Sequence, residues 1–119
     1  MSHVLKVAML VVLWLSSAAM AMAADLDRAA NMERCIISPM SQIMSLSPAE
    51  RRSTLGQDYE LAKAEVASPQ TVYSASSRFF WAGQAKIQCG IALGYLKGGS
   101  ADAQSSQKCD CFTRHMAGF

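Results

Sequence analysis

The stretch "FFWAGQAKIQCGIALGYLKGGSADAQSSQKCDCFTRHM", Phe79 to Met116, carries the fold in outline. Up to Lys97 it has no proline and is apolar round most of its circumference, which suits a helix enclosed by others. "KGGS" then supplies a glycine stop and a turn, and "GGSADAQSSQ" is a polar turn that enters a last helix. The midpoint between Cys89 and Cys109 is residue 99, inside the Gly98-Gly99 turn. Two helices folded back at that turn bring the two thiols level, so a hairpin bridged by Cys89 and Cys109 is expected. On the last helix Cys109 shares a face with Ser105, Phe112 and Met116, whereas Cys111 points about 200° away, beside Gln104, Lys108 and His115. A bridge between Cys109 and Cys111 would be strained within a helix, which leaves Cys35 for Cys111 by elimination. Four cysteines permit three connectivities, and Cys89 with Cys111 is nearly as symmetric, so that pairing stays open.

The chain opens with "MSHVLK", then "VAMLVVLWL", then "SSAAMAMA". A basic start, a short apolar run and small residues at Ala21 and Ala23 have the form of a bacterial secretory signal peptide over residues 1–23, cleaved after Ala23. The apolar run is short of the roughly 20 residues a bilayer span requires, so no stable membrane anchor is expected. No cysteine follows it closely, which argues against a lipoprotein, and the expected address is periplasmic or secreted. A single domain over residues 24–119 would remain, near the size at which one core gives only a few kcal/mol of net stability. All four cysteines (Cys35, Cys89, Cys109, Cys111) lie in that part, and an even count in a short exported chain reads as a disulfide framework.

Every proline follows a serine, at Ser38-Pro39, Ser47-Pro48 and Ser68-Pro69, and each pair is a helix-start signal. "SPAE" adds Glu50 three residues after Ser47, the pattern of a capping box. A helix is expected from Pro48 to about Ala67, burying Leu55, Tyr59, Ala62 and Val66, with "ERR", "QD" and "KAE" in water. The next is expected to start after Ser68 and extend to Lys97. The first ordered helix should be "DLDRAANMERCII", with acidic residues in its first turn. The fold class is therefore all-α, a small bundle of four to five helices stapled by two disulfides. Within the long helix Gly83, Gly90 and Gly94 fall within about 20° of one line, close to Ser76 and Ile87, and predict close helix packing. Gly90-x3-Gly94 also matches a membrane dimerisation spacing, but Lys86 and Gln88 interrupt the run and favour soluble packing.

The chemistry-bearing residues are few. Zinc would have Cys89, Cys109, Cys111 and His115 to choose from, and His115 could assist a Cys111 thiolate, but neither set has the spacing of a known site. In an oxidising compartment structural disulfides take precedence, so no metal and no cofactor are expected. His115 is the only histidine outside the signal segment, and its ordinary role is a solvated, partly positive ring near a helix C-terminus. No nucleophile elbow, phosphate-cradling loop, paired-cysteine thioredoxin motif or glycosidase acid pair is present, so enzyme activity is not expected. Asp58 and Glu60, like Asp25 and Asp27, read as solvated helix charges. The charge after signal removal is about +1, too small a field to favour nucleic acid or anionic membrane.

What remains is a surface. "VYSASSRFFWAG" groups Tyr73, Phe79, Phe80 and Trp81 with Arg78, and consecutive positions on a helix cannot all face inward. Tyr73, Arg78 and Trp81 form a contact patch if they project outward, since Tyr, Trp and Arg carry much interface energy. If they are core, no partner is implied. Met32, Met40 and Met44 suit adaptable packing or a permissive groove equally.

"CGIALGYLKGG", Cys89 to Gly99, resembles the cysteine followed by a Gly-Tyr pair in the helical immunity proteins that neutralise type VI secreted cell-wall amidases. The resemblance covers about a tenth of the chain, and "CDCF" is not part of that pattern. It implies an exported protein of inhibitor or immunity type that binds another periplasmic or secreted protein. The alternatives are a periplasmic chaperone or stress protein, against which a single histidine and near-neutral charge weigh, and a thiol-disulfide redox protein using Cys109 and Cys111. The sequence leaves the oligomeric state open.

Overall fold

The computed structural model describes residue 26, residues 28–36 and residues 41–118. The signal segment 1–23, the Ser38-Pro39 helix start, Met40, Asp25 and Asp27 lie outside the described residues. The chain divides into two units, residues 1–33 and 34–119. In the first, residues 28–33 are helical, within the span expected for the first ordered helix. The second holds both disulfides and the core.

In that second unit residues 34–36 are helical and carry Cys35, and a short 3-10 turn covers Ile43–Ser45. The long helices are α1 (Pro48–Ala67), α3 (Arg78–Lys97) and α4 (Ala103–Ala117), with a single turn, α2 (Pro69–Val72), between the first two. No strand occurs among the described residues, and the unit is all-α.

The capping box at the start of α1 forms as its spacing predicts. The Ser47 N–H donates to the Glu50 carboxylate at 3.0 Å, and the Glu50 N–H donates to the Ser47 hydroxyl at 3.3 Å. These two bonds satisfy backbone donors that the helix itself cannot, and the Ser47 hydroxyl, donating to the carboxylate at 2.5 Å, together with the Ser47 N–H holds the exposed Glu50 carboxyl below its usual pKa. Arg51, one of the residues assigned to water, turns back instead. Its Nε donates to the Ile43 carbonyl at 3.2 Å, and Nη2 to those of Met44 and Leu46 at 2.9 and 3.0 Å. One guanidinium thus satisfies three carbonyls of the approach to α1 and fixes the 3-10 turn, whose Ile43 is buried.

The helix expected to start after Ser68 and extend to Lys97 is broken. Residues 73–77 leave the helix between α2 and α3 because serines there offer the backbone other partners. The Ser74 hydroxyl donates to the Thr71 carbonyl at 2.9 Å, and the Arg78 N–H reaches the Ser76 hydroxyl at 3.4 Å. Glu65 then ties the two sides of the break together. It accepts from Arg78 Nε and Nη2 at 2.8 and 2.6 Å and from the Thr71 hydroxyl at 2.6 Å, and this pulls its pKa down to about 2.

The α3–α4 hairpin forms where the glycines place it. Gly98 closes α3, and Gly99 takes a φ of +90°, which a side chain would resist. Asp102 caps α4 by accepting from the Ser105 N–H at 2.7 Å. Small residues on α3 (Ala82, Ala85, Cys89, Ala92) let α1 and α4 approach, and Leu55, Ala62, Trp81, Phe112 and Met116 fill the space between. Tyr59 and Val66, expected in the core, are half-buried. Two disulfides complete the staple, Cys89–Cys109 with Cα atoms 4.6 Å apart and Cys35–Cys111 at 5.6 Å, and no cysteine is free.

Candidate functional site

The Cys109-x-Cys111 pair is split between the two bridges, and each half anchors a different element to α4. Cys109 joins α3, and Cys111 joins the helical residues around Cys35. Of the four ligands weighed for zinc, Cys89 and Cys109 are joined in one bridge, while Cys111 lies in the other with His115 beside it, so the four are not brought together as one set. Instead Cys35, Cys111 and His115 converge, with Sγ and ring nitrogen atoms all within 4.8 Å. Cys111 and His115 are one helical turn apart and so share a face of α4.

His115 is half-buried rather than solvated. Its ring stacks on the Trp81 indole at 4.8 Å between centroids and 26° between planes. Burial, then the charges of Arg114 and Arg34, lower its pKa below the ordinary histidine value, which disfavours the partly positive ring expected at the C-terminal end of α4.

Trp81 itself is 4 % exposed, with Phe80 edge-on at 4.9 Å and Phe112 stacked at 6.0 Å. It therefore leaves the contact patch proposed for it. The reason is geometric: residue 81 lies on the same side of α3 as Ala85 and Ala92, and that side faces the core. Arg78 is engaged by Glu65, and Tyr73 stands alone at 88 % exposure in the segment that breaks the helix. The patch of Tyr73, Arg78 and Trp81 does not assemble.

Asp58 is a second departure. One carboxylate oxygen lies 4.0 Å from Cys109 Sγ, and burial, with a smaller push from the Asp110 charge, raises its pKa to about 6. The spacing held the signal: Asp58 falls between Leu55 and Ala62 on the buried side of α1, where acidic character alone suggested water. Glu60 is exposed and pairs with Lys63 at 3.0 Å, as a solvated charge should.

The glycine stripe divides. A methyl group on Gly90 would sit 3.5 Å from the Tyr59 ring, so Gly90 does meet α1. Gly83 and Gly94 have nothing within 4 Å of that position, and the close packing predicted for them is not made within the described residues. They lie on the outward face of α3 with Ile87, Ile91 and Tyr95, which are 55 %, 44 % and 49 % exposed. A shallow open groove of about 310 Å³, lined by Ile91, Gly94, Tyr95, Gly98 and Ser100, runs to the end of that face. The charges of α3 are all basic (Arg78, Lys86, Lys97), and Lys86 and Lys97 have no ion-pair partner among the described residues. No helix among the described residues is long and apolar enough to cross a membrane.

Comparison of the chain with protein-family models, with curated proteins and with solved structures finds no match.

Proposed function

We propose that the protein is exported and works by binding another protein, as an inhibitor or immunity-type partner, through the outward face of α3. The observation that carries this is the pairing of exposed Ile87, Ile91 and Tyr95 with uncovered glycines at 83 and 94 on the side of a helix that faces away from its own core. A soluble helix normally carries its polar residues there. Exposed apolar residues rimmed by charge mark a surface that gains by being covered, and glycines let a partner backbone come close. Lys86 and Lys97 at the rim favour a partner with acidic residues flanking its apolar contact.

Two disulfides in a chain of this size fit an oxidising compartment and a rigid surface, because a preformed contact face loses less entropy on binding. The test is to place a photo-crosslinking residue at Ile91 and, as a control, at Gln57 on the exposed side of α1, and to identify adducts formed in the exported fraction. A partner captured from position 91 alone, whose affinity falls about tenfold or more with Ile91→Glu, is the expected result. Equal capture from both positions, or full affinity of the Ile91→Glu variant, would remove the face from the mechanism. Recovery of the tagged chain in the cytoplasm with residues 1–23 intact would refute export.

A further inference from the structure

We infer that Cys35, Cys111 and His115 form a redox-gated site for a thiophilic divalent metal ion of the zinc type, closed by the Cys35–Cys111 disulfide and opened by a dithiol reductant. Three side chains of the kinds such ions prefer converge within 4.8 Å: the two sulfurs of the Cys35–Cys111 bridge and the ring of His115. Ligands bonded to one zinc ion at about 2.0–2.3 Å sit roughly 3.5–4 Å from one another, so the cluster lies within a side-chain adjustment of binding distance once the sulfurs separate.

The scaffold supplies what the site needs without the metal. Cys111 and His115 are one turn apart on α4, a helix capped at its start by Asp102 and closed by the left-handed Gly118. Trp81 stacks on the His115 ring and limits its rotation, as a second layer of contacts does around metal-bound imidazoles. Both residues are buried, but Cys111 is 7 % exposed against 0 % for Cys35, so attack by a thiolate is assigned to the Cys111 sulfur, with Cys35 as the leaving thiolate. The other bridge retains its link between α3 and α4 and keeps the hairpin in place while the first is open.

The chemistry balances in two steps. A dithiol, such as the reduced form of a thiol-disulfide oxidoreductase, gives two electrons and two protons to the Cys35–Cys111 bond and becomes a disulfide itself. The two thiols then release their protons to solvent as they bind the dication, and His115 adds a nitrogen lone pair, leaving water or a partner side chain for the fourth position. The two thiolate charges cancel the charge of the ion. In the reverse direction the disulfide form of such an oxidoreductase takes two electrons from the thiolates and two protons from solvent and becomes the dithiol, which reforms the Cys35–Cys111 bond and frees the dication.

The test uses the full chain, its disulfides reduced with a phosphine, titrated with Zn2+ and in parallel with Co2+, whose thiolate complexes absorb in the near ultraviolet. Cysteines are then alkylated with and without Zn2+ and mapped by mass spectrometry. Protection of Cys35 and Cys111 but not Cys89 and Cys109, no binding by the oxidised chain, and roughly tenfold or greater weakening by His115→Ala are expected. Protection of Cys89 and Cys109 instead would place the metal beside Asp58 and overturn the site. So would equal affinity in the His115→Ala variant, binding to the oxidised protein, or a reduced chain that loses its helical circular dichroism and takes up no Zn2+.

Discussion

Replacing Asp58 by asparagine should stabilise the protein at neutral pH and leave it nearly unchanged in acid. The carboxyl is packed near Cys109 with Asp110 opposing its charge, and its pKa of about 6 in the fold stands about two units above the ordinary 3.8. Each unit corresponds to about 1.4 kcal/mol, so full ionisation costs the fold up to about 3 kcal/mol. Because part of the carboxyl remains in water, about 1–2 kcal/mol is the effective figure. A folded-state pKa that is raised means the native protein binds the proton more tightly than the unfolded chain. Stability is therefore fully present below about pH 4 and is lost as pH rises towards about 6. Thermal unfolding by far-ultraviolet circular dichroism, with disulfides intact, reads this directly, since about 1–2 kcal/mol moves the midpoint of a domain of this size by roughly 5–10 °C. The quantity to compare is the advantage of Asp58→Asn at pH 7 minus that at pH 4, in which any cost of the buried amide cancels. A difference of zero, or one of opposite sign, would refute the assignment of the raised pKa to burial.

Three further outcomes follow from the structure. Replacing Cys89 and Cys109 together with serine should cost about 3 kcal/mol and replacing Cys35 and Cys111 about 4–5 kcal/mol by loop closure over separations of 20 and 76 residues; urea denaturation that reverses the order would show that chain entropy is not what ranks them. Arg51→Ala should destabilise by about 1–3 kcal/mol, with amide exchange accelerated first around residues 43–46, whereas uniform acceleration over α1 would mean that the guanidinium supports the helix and not the turn. Fluorescence of Trp81, the one tryptophan after residue 23, should fall as the stacked His115 ring is protonated, with a midpoint below the ordinary histidine value; a profile unchanged by His115→Ala would break the link between the two rings.

The parts of the fold that are local in sequence were legible. Ser47, Pro48 and Glu50 specify a helix start through bonds three residues long, and the Gly98-Gly99 turn, with cysteines ten residues to either side, specifies the hairpin and its bridge. What was hidden depends on neighbours brought from elsewhere. The serines of 73–77 read as tolerable helix residues until Thr71 and Glu65 offer them and Arg78 better partners. Trp81 reads as surface or core until Phe112 and His115 arrive from α4. Arg51 gave no signal, because its three acceptors are carbonyls of an irregular segment. Asp58 did give one, in its place on the buried side of α1, and its charge argued the other way.

The bridges at Cys109 and Cys111 also make the chain a ring within a ring. Residues 35 to 111 are closed covalently, and residues 89 to 109 are closed again inside them. A single peptide-bond cut anywhere between residues 36 and 110 therefore releases no fragment. The exposed Tyr73 and the break in the helix around it lie inside the larger ring. A nicked molecule would run as an intact one until a reductant is added, with its core held from both sides of the cut.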